Sequence, residues 1–378
     1  MRSITIIGAG IGGLAAAAAL RQRGAMVQVY EQAEQFARVG AGLQQSPNAV
    51  RVHRGLGIED RLGQVALSPT SSLNRDGISG QVTNDHPLGR AVEARYGAPY
   101  LTLHRGDLHA ALASIVAPDC VHLGKTLIAI DSRGPPIELR FADGSEVEAD
   151  AVIGADGVHS PIRDYVAGPT PARFTGRLAY RTTFPAAVLH GVEIGSSRTK
   201  WWGPDRHIVI YFVTAAHDEV YFTTSQPEKA DWISRESWST KGDLDEMRDA
   251  FASFHPDVRA VLEAAPEVHK WGIFERDPLP TWSRDRVVLL GDACHPMTPY
   301  MASGAAMALE DAAVLARCVD EIDDIADAFR VYEATRKPRT SAVQAGSSAN
   351  AWMRKETNPD WLYGYDAWTV PLAAPVAG

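Results

Sequence analysis

The sequence predicts an α/β protein: a parallel sheet covered by helices, a second domain on a mostly antiparallel sheet, and a C-terminal helical segment. Three observations carry this reading. The chain opens with Ile4, Ile6 and Ile7, a turn Gly8-Ala-Gly10-Ile-Gly12-Gly13, an alanine-rich helix from Leu14 to Arg21, and a second strand through Tyr30 to Glu31. Two later apolar runs, Ala151–Gly154 and Arg286–Gly291, end in glycine and acid, at Gly154-Ala-Asp156-Gly157 and Gly291-Asp292. Between them, from about Arg173, the residues alternate between apolar and polar as antiparallel strands do.

The opening unit has the form of a dinucleotide-binding βαβ, as in Rossmann-like domains. Gly8 permits the tight turn, Gly10 lets backbone approach a pyrophosphate, and Gly13 lets the helix pack on the strand. The phosphates then meet the positive N-terminal end of the helix. Glu31 ends the second strand about 20 residues on, where a carboxylate accepts from a ribose diol. The motif does not say which dinucleotide binds.

The next loop, Ala37 to Asn48, has too many glycines for a helix, and its Ser46-Pro47-Asn48 suits the start of one that runs through Val50, Val52 and Leu56 to a stop at Gly57. Residues 66–100 read as irregular with weak strand signals. A strand is predicted over Tyr100–His104, then a helix through Leu112 that Asp107 can cap. Short strands follow at Val121–Leu123, Thr126–Ile130 and Ile137–Phe141, the last forming a hairpin with Glu146–Glu148. Arg177–Phe184, His207–Thr214 and Glu219–Ser225 build the second domain, joined by connections rich in Trp, Ser and charge. Helices over Leu244–Phe254 and Val258–Ala264 and a strand near Trp271–Phe274 bring the chain back to the parallel sheet. Long helices are predicted over 303–319 and about 323–354, followed by an aromatic tail. The domains expected are therefore 1–172 with 276–320, then 173–275, then 321–378.

At 378 residues the chain can bury a substantial core in two domains. Its net charge of −9 and pI near 5.7 argue against nucleic acid or an acidic membrane surface as partner. With only Cys120, Cys294 and Cys318, no paired-cysteine spacing, no signal pattern and no membrane-spanning run, a cytoplasmic protein without a metal site is expected, as a monomer or homodimer.

Together the three strand ends resemble those of the flavoprotein aromatic monooxygenases of the para-hydroxybenzoate hydroxylase type, across essentially the whole chain. Within that family the likeness is greatest to the hydroxynicotinate hydroxylases and looser to the salicylate hydroxylases. It rests on Arg105-Gly-Asp-Leu-His109, Lys200-Trp-Trp, Asp205-Arg-His207, Gly291 to Met297, Met307-Ala-Leu-Glu-Asp311 and Trp361 to Asp366. The resemblance implies a single-component enzyme with bound FAD. NADH or NADPH, lacking a second glycine fingerprint, reduces the flavin and leaves; O2 then forms a flavin hydroperoxide that hydroxylates an electron-rich ring.

On that resemblance, Gly8, Gly10, Gly13 and Glu31 hold the ADP half of FAD. Asp292 suits a hydrogen bond to the ribityl chain, since a buried carboxylate needs such partners; its alternative role is a cap or ion-pair acid. Arg105, and more weakly Arg38, can reach phosphate or ring edge, or lie on the surface. Asp156 contacts NAD(P)H or simply caps a turn, the simpler reading. Pro299 and Gly304 precede a helix whose N-terminal amides can face the flavin pyrimidine edge. The family usually has Gln-Gly there, whereas this chain has Ser303-Gly304.

His207 and Tyr211, four apart on one strand, face one side and match positions that hold substrate in the hydroxynicotinate enzymes. Either can act on a ring hydroxyl, since deprotonation raises the electron density of the ring. Trp202, with Trp201 and Phe212, offers apolar walls or plain core. Three positions depart from that branch: Gln44 and Tyr300 stand where it has histidines, and Arg198 where it has cysteine, which points to a different substrate. Arg198 offers a fork for a carboxylate if it faces inward, and Arg181 is its rival. The expected activity is hydroxylation of a phenol- or hydroxypyridine-type aromatic acid, with or without loss of the carboxylate. Rival readings are tailoring of a larger natural product and a non-catalytic FAD-binding redox sensor.

Overall fold

A computed structural model describes residues 3–38, 41–134, 136–229, 240–352, 354 and 357–374. Val39 and Gly40 of the early loop, and the Trp- and Ser-rich stretch 230–239, lie outside them. The opening unit folds as its pattern dictates: a strand Ser3–Ile7, a helix Ile11–Gln22 and a strand Met26–Tyr30. Leu14 through Leu20 are buried all round, because alanine side chains let the sheet on one side and the long helix Gly304–Glu321 on the other approach closely. A Cβ on Gly12 would stand 2.6 Å from Leu290 and 3.3 Å from Ala308.

The first sheet has six strands in the order Ser283–Arg284, Val287–Leu289, Ala151–Gly154, Ser3–Ile7, Met26–Tyr30 and Val121–His122. All pair in parallel except the edge strand Ser283–Arg284. Ile7, Gly154 and Leu289 stand side by side in register, so three motifs remote in sequence finish on three adjacent strand ends.

The second sheet has seven strands, in the order His269–Glu275, Arg173–Pro185, Glu219–Pro227, His207–Phe212, Arg198–Trp202, Ser71–Asp76 and Val82–Pro87. Its outer face packs Phe184, Ile208, Ile210 and Phe222 on the helices Leu244–Ala250 and Pro256–Ala264. Its inner face turns toward the parallel sheet.

Three local expectations are corrected. The stretch 66–100 is ordered, as the strands Ser71–Asp76 and Val82–Pro87 and the helix Gly89–Tyr96. Its strands are polar; they pair antiparallel with each other, and the first joins the sheet by pairing in parallel with Arg198–Trp202; this hairpin therefore crosses a domain division at 172/173. Gly42–Gln45 in the early loop pairs with Leu101–His104. The helix Arg105–Ala113 is capped by His104, whose Nδ1 accepts from Gly106 N at 2.9 Å, not by Asp107, which pairs with Arg38.

His53, buried on the helix Pro47–Leu56, shares a hydrogen bond with Gln45 Oε1 at 2.9 Å, and burial lowers its pKa from 6.5 to about 3. A folded-state value below the unfolded one means that its contribution is present above pH 6.5 and is lost as pH falls toward 3. Between about pH 7 and about pH 4.5 the wild type should lose about 2–3 kcal/mol at this site, and His53→Gln should lose correspondingly less, as read from urea midpoints.

Candidate functional site

The register of the three strand ends builds the site floor. Gly8 takes φ +102°, and a Cβ there would sit 2.4 Å from Ala155 O. A Cβ on Gly13 would meet Gly8 O at 1.9 Å, so helix and strand touch through backbone alone. Gly10 differs: a Cβ there would meet nothing within 4 Å, because this face opens on a cavity. The helix starts at Ile11 with no side-chain cap, leaving its first amides to a ligand. Glu31 accepts from Ala9 N at 2.7 Å and Ala33 N at 2.9 Å, which fixes its carboxylate beside the glycine turn.

The cavity, about 310 Å³, runs from Gly10–Gly12 past Arg105 and Asp292 to Pro296–Ala305, and reaches the inner face of the second sheet at Tyr211, Tyr221, Thr223 and Arg181. Asp292 is open to the cavity yet enclosed by protein, and this confinement raises its pKa against the pull of His295 and Arg105. No hydrogen bond reaches its carboxylate from the described residues. Burial lowers the pKa of Arg105, and Asp292 opposes the shift. A confined carboxylate, an arginine on the same wall and an open glycine cradle are the features a bound FAD requires. Next to them, Ala302 holds a left-handed backbone at φ 51°, followed by the helix Gly304–Glu321, whose Gly304 lies against Asp292 Oδ1.

A buried acid pair stands behind this wall. Asp311 accepts from Gly291 N at 3.1 Å, from His295 at 2.5 Å and from Arg336 Nε at 2.7 Å. Burial alone would raise its pKa; His295 and Arg336 outweigh that and hold it low. Glu310 takes Asn48 at 2.7 Å, Arg336 at 2.7 Å and Arg339 at 2.8 Å. The network ties the Gly291-Asp292 turn to both long helices.

The inner face of the second sheet reads as rows across the strands. Asn74, Lys200, Val209, Thr223 and Arg181 form one. Trp202, His207 and Ser225 form another, and Tyr211 with Tyr221 a third, to which continuation of the register adds Arg198. Tyr211 is buried, and its phenol is pushed well above its ordinary value by burial and by Tyr221. Gln44 accepts from Tyr100 at 2.7 Å and lies within hydrogen-bonding reach of Tyr211. Burial and nearby cations, Lys200 first, hold His207 well below 6.5, a neutral imidazole. Its ring lies 5.7 Å from that of Tyr300, whose hydroxyl is 3.0 Å from Ser225 Oγ.

The structure thus gathers Gly10, Arg105, Asp292, Pro299, Gly304, Gln44, Arg181 and Tyr211 around one cavity. Trp202, His207, Arg198 and Tyr300 do not line it, although all but Tyr300 share the inner sheet face with Tyr211; Arg198 faces inward, 6 % exposed. Arg38 does not line the cavity; it bridges Asp107 and Glu219. Asp156 caps the following turn through Ser160 Oγ and Ile162 N, and its enclosed carboxyl is pushed up to about 6. Sequence reasoning missed Tyr221, Thr223 and Trp271 on the cavity wall. Alternation alone could have paired Tyr221 with Thr223. It also left Glu310 and Asp311 without a role, although two adjacent acids in an otherwise apolar helix signal buried pairing.

Among the described residues no helix is long and apolar enough to cross a membrane. A family model described as FAD binding domain matches residues 127–346, and one described as NAD(P)-binding Rossmann-like domain matches residues 6–52. The chain is 46 % identical over 371 residues to a 6-hydroxynicotinate 3-monooxygenase of Bordetella bronchiseptica, covering 98 % of this chain and 96 % of that one. It is 39 % identical over 341 residues to a 3-amino-4-hydroxybenzoate 2-monooxygenase of Streptomyces cremeus, covering 90 % and 84 %. The structure of Klebsiella pneumoniae HpxO complexed with FAD and uric acid superposes with a TM-score of 0.83 at 28 % identity, over 92 % of this chain and 87 % of that one.

Proposed function

The chain belongs to the FAD-dependent aromatic monooxygenases, and from that premise we propose that it hydroxylates a phenol- or hydroxypyridine-type aromatic acid. The balanced reaction is Ar–H with O2, NAD(P)H and a proton going to Ar–OH, NAD(P)+ and water. The observation that carries this is that one cavity joins two surfaces: its floor is the dinucleotide cradle with Asp292 and Arg105, and its roof is a polar and aromatic sheet face. FAD bound there supplies the redox chemistry with NAD(P)H and O2.

The chain's own residues bind, orient and exclude water. The Gly8–Gly13 turn and Glu31 would hold the ADP half of FAD, and Asp292 and Arg105 would hold its middle. The N-terminal amides beyond Gly304 favour negative charge at the ring edge. Tyr211, whose phenol keeps its proton at neutral pH, donates to the substrate oxygen. Neutral His207, whose charged form the neighbouring cations disfavour, is suited to accept a hydrogen bond from the ring hydroxyl, which shifts electron density toward the ring. Confinement by Tyr211, Tyr221 and Trp271 keeps water from the reacting atoms. The substitutions at Gln44, Arg198 and Tyr300 support a substrate other than 6-hydroxynicotinate.

A panel of hydroxylated benzoates and pyridine carboxylates tests the proposal. At least one acid should accelerate NAD(P)H oxidation with stoichiometric hydroxylated product, and carboxylate retention or CO2 release identifies the course of the reaction. No accelerating acid, or oxidation without product, would overturn it; turnover only of larger ring systems would favour a tailoring role. With the preferred acid, Tyr211→Phe should keep its FAD and lower kcat/KM about 10–100-fold, the loss expected when one buried hydrogen bond to substrate is removed.

A further inference from the structure

We propose that Arg198 and Lys200 form a carboxylate pocket beside the cavity, with Lys200 the group that separates an aromatic acid from its neutral analogues. The inference rests on the hydroxylase reading for its substrate class and on the inner sheet face for its geometry. Arg198 and Lys200 alternate on one strand, so both face inward, and they are 6 % and 2 % exposed. Arg198 Nη1 donates to Ser72 Oγ at 2.6 Å, while its buried Nε has no partner among the described residues. The Lys200 amine lies 3.9 Å from the centre of the Trp202 ring, and no hydrogen bond or ion pair reaches it from the described residues.

The surrounding charge has one sign. Arg198, Arg354 and Arg177 all act on Lys200, and no carboxylate among the described residues offsets them. Burial and these neighbours push its amine well below the ordinary 10.5. Enclosed cations without a counter-ion are costly, and the cost falls when a bound anion supplies the missing charge. The other residues suit a flat ligand: His207 and Tyr300 stack edge to face, and Trp202 closes the side with its indole N–H held by Asn74 Oδ1 at 2.8 Å.

Position favours this pocket over Arg181. Lys200 and Arg181 lie in the same row with Val209 and Thr223 between them, roughly 14 Å apart by strand spacing. Arg181 packs over the Trp271 ring at 5.5 Å. Arg198 stands beside Tyr211, so a ring under the Tyr211 hydroxyl directs its carboxylate toward Arg198 and Lys200.

Benzoate and benzamide, which have no ring hydroxyl, test the pocket through flavin difference spectra of the FAD holoenzyme, without turnover. The wild type should bind benzoate at least about 10-fold tighter than benzamide, and Lys200→Met should erase that preference with benzamide affinity unchanged. Lys200→Arg should retain part of it. If Lys200→Met loses FAD, Lys200→Gln carries the same comparison. Equal binding of the two ligands by the wild type, unchanged benzoate affinity in Lys200→Met, or loss of the preference in Arg181→Met instead would each overturn the inference. Benzoate bound through Lys200 in an enzyme that hydroxylates no aromatic acid would leave the pocket standing and remove the hydroxylase reading.

Discussion

Gly13→Ala is expected to give protein that no longer retains FAD. The added Cβ would stand 1.9 Å from Gly8 O and 3.3 Å from Ala155 Cβ. Neither obstacle can rotate away, so the helix Ile11–Gln22 must lift from the sheet and carry the open face of Gly10 and the first helical amides with it. Overpacking of a fixed contact costs about 1–3 kcal/mol, and a backbone obstacle belongs at the upper end. Gly63→Ala is the control: it sits inside the helix Glu59–Val65 with nothing within 4 Å, and should gain about 0.5–1 kcal/mol. The flavin-to-protein ratio after gel filtration and the thermal midpoint read both effects. Equal flavin content in the two variants would show that the glycine contact yields.

Arg336→Met should lower stability by about 3–5 kcal/mol, the range for removing one partner of a buried ion pair. Arg336, Glu310 and Asp311 are all fully buried, and the arginine pairs with both acids at 2.7 Å. Arg339 still serves Glu310 in the variant, so the uncompensated charge falls mainly on Asp311. Because Asp311 also anchors Gly291 N, weakened FAD retention should accompany the loss. The sign with pH follows. In the wild type Asp311 is held low, so its contribution is present above the ordinary carboxylate range and lost as acid protonates it. In the variant the carboxyl is raised instead, and the deficit should shrink as pH falls. Urea midpoints near neutral pH and in mild acid check this; a deficit of equal size at both would count against the ion-pair account.

Legibility in the sequence followed the range of the interactions. The opening βαβ, the helix stopped by Gly57 and the buried strands at 151–154 and 287–289 were readable, because each follows from local periodicity and a glycine whose backbone no other residue matches. Ser71–Asp76 and Val82–Pro87 were not: their polar residues carry no strand signal, and their hairpin joins the sheet by pairing with Arg198–Trp202, over a hundred residues away. Asp292 and Arg105 were visible as strand-end and helix-start residues. That Arg38 is taken up by Asp107 and Glu219 depends on an ion pair across 181 residues, to which no local pattern points.

By itself the sequence determined the dinucleotide cradle, the antiparallel second sheet and the aromatic, arginine-bearing strands, because glycine spacing and period-two alternation act through neighbouring residues. Only the tertiary structure decided that Ile7, Gly154 and Leu289 end side by side, that Glu310 and Asp311 are held by Arg336, and that Lys200 and Arg198 are enclosed with no counter-ion among the described residues. Strand order and the sign of a buried charge cluster are set by long-range pairing and exclusion of water, and neither is written in any local stretch of the chain.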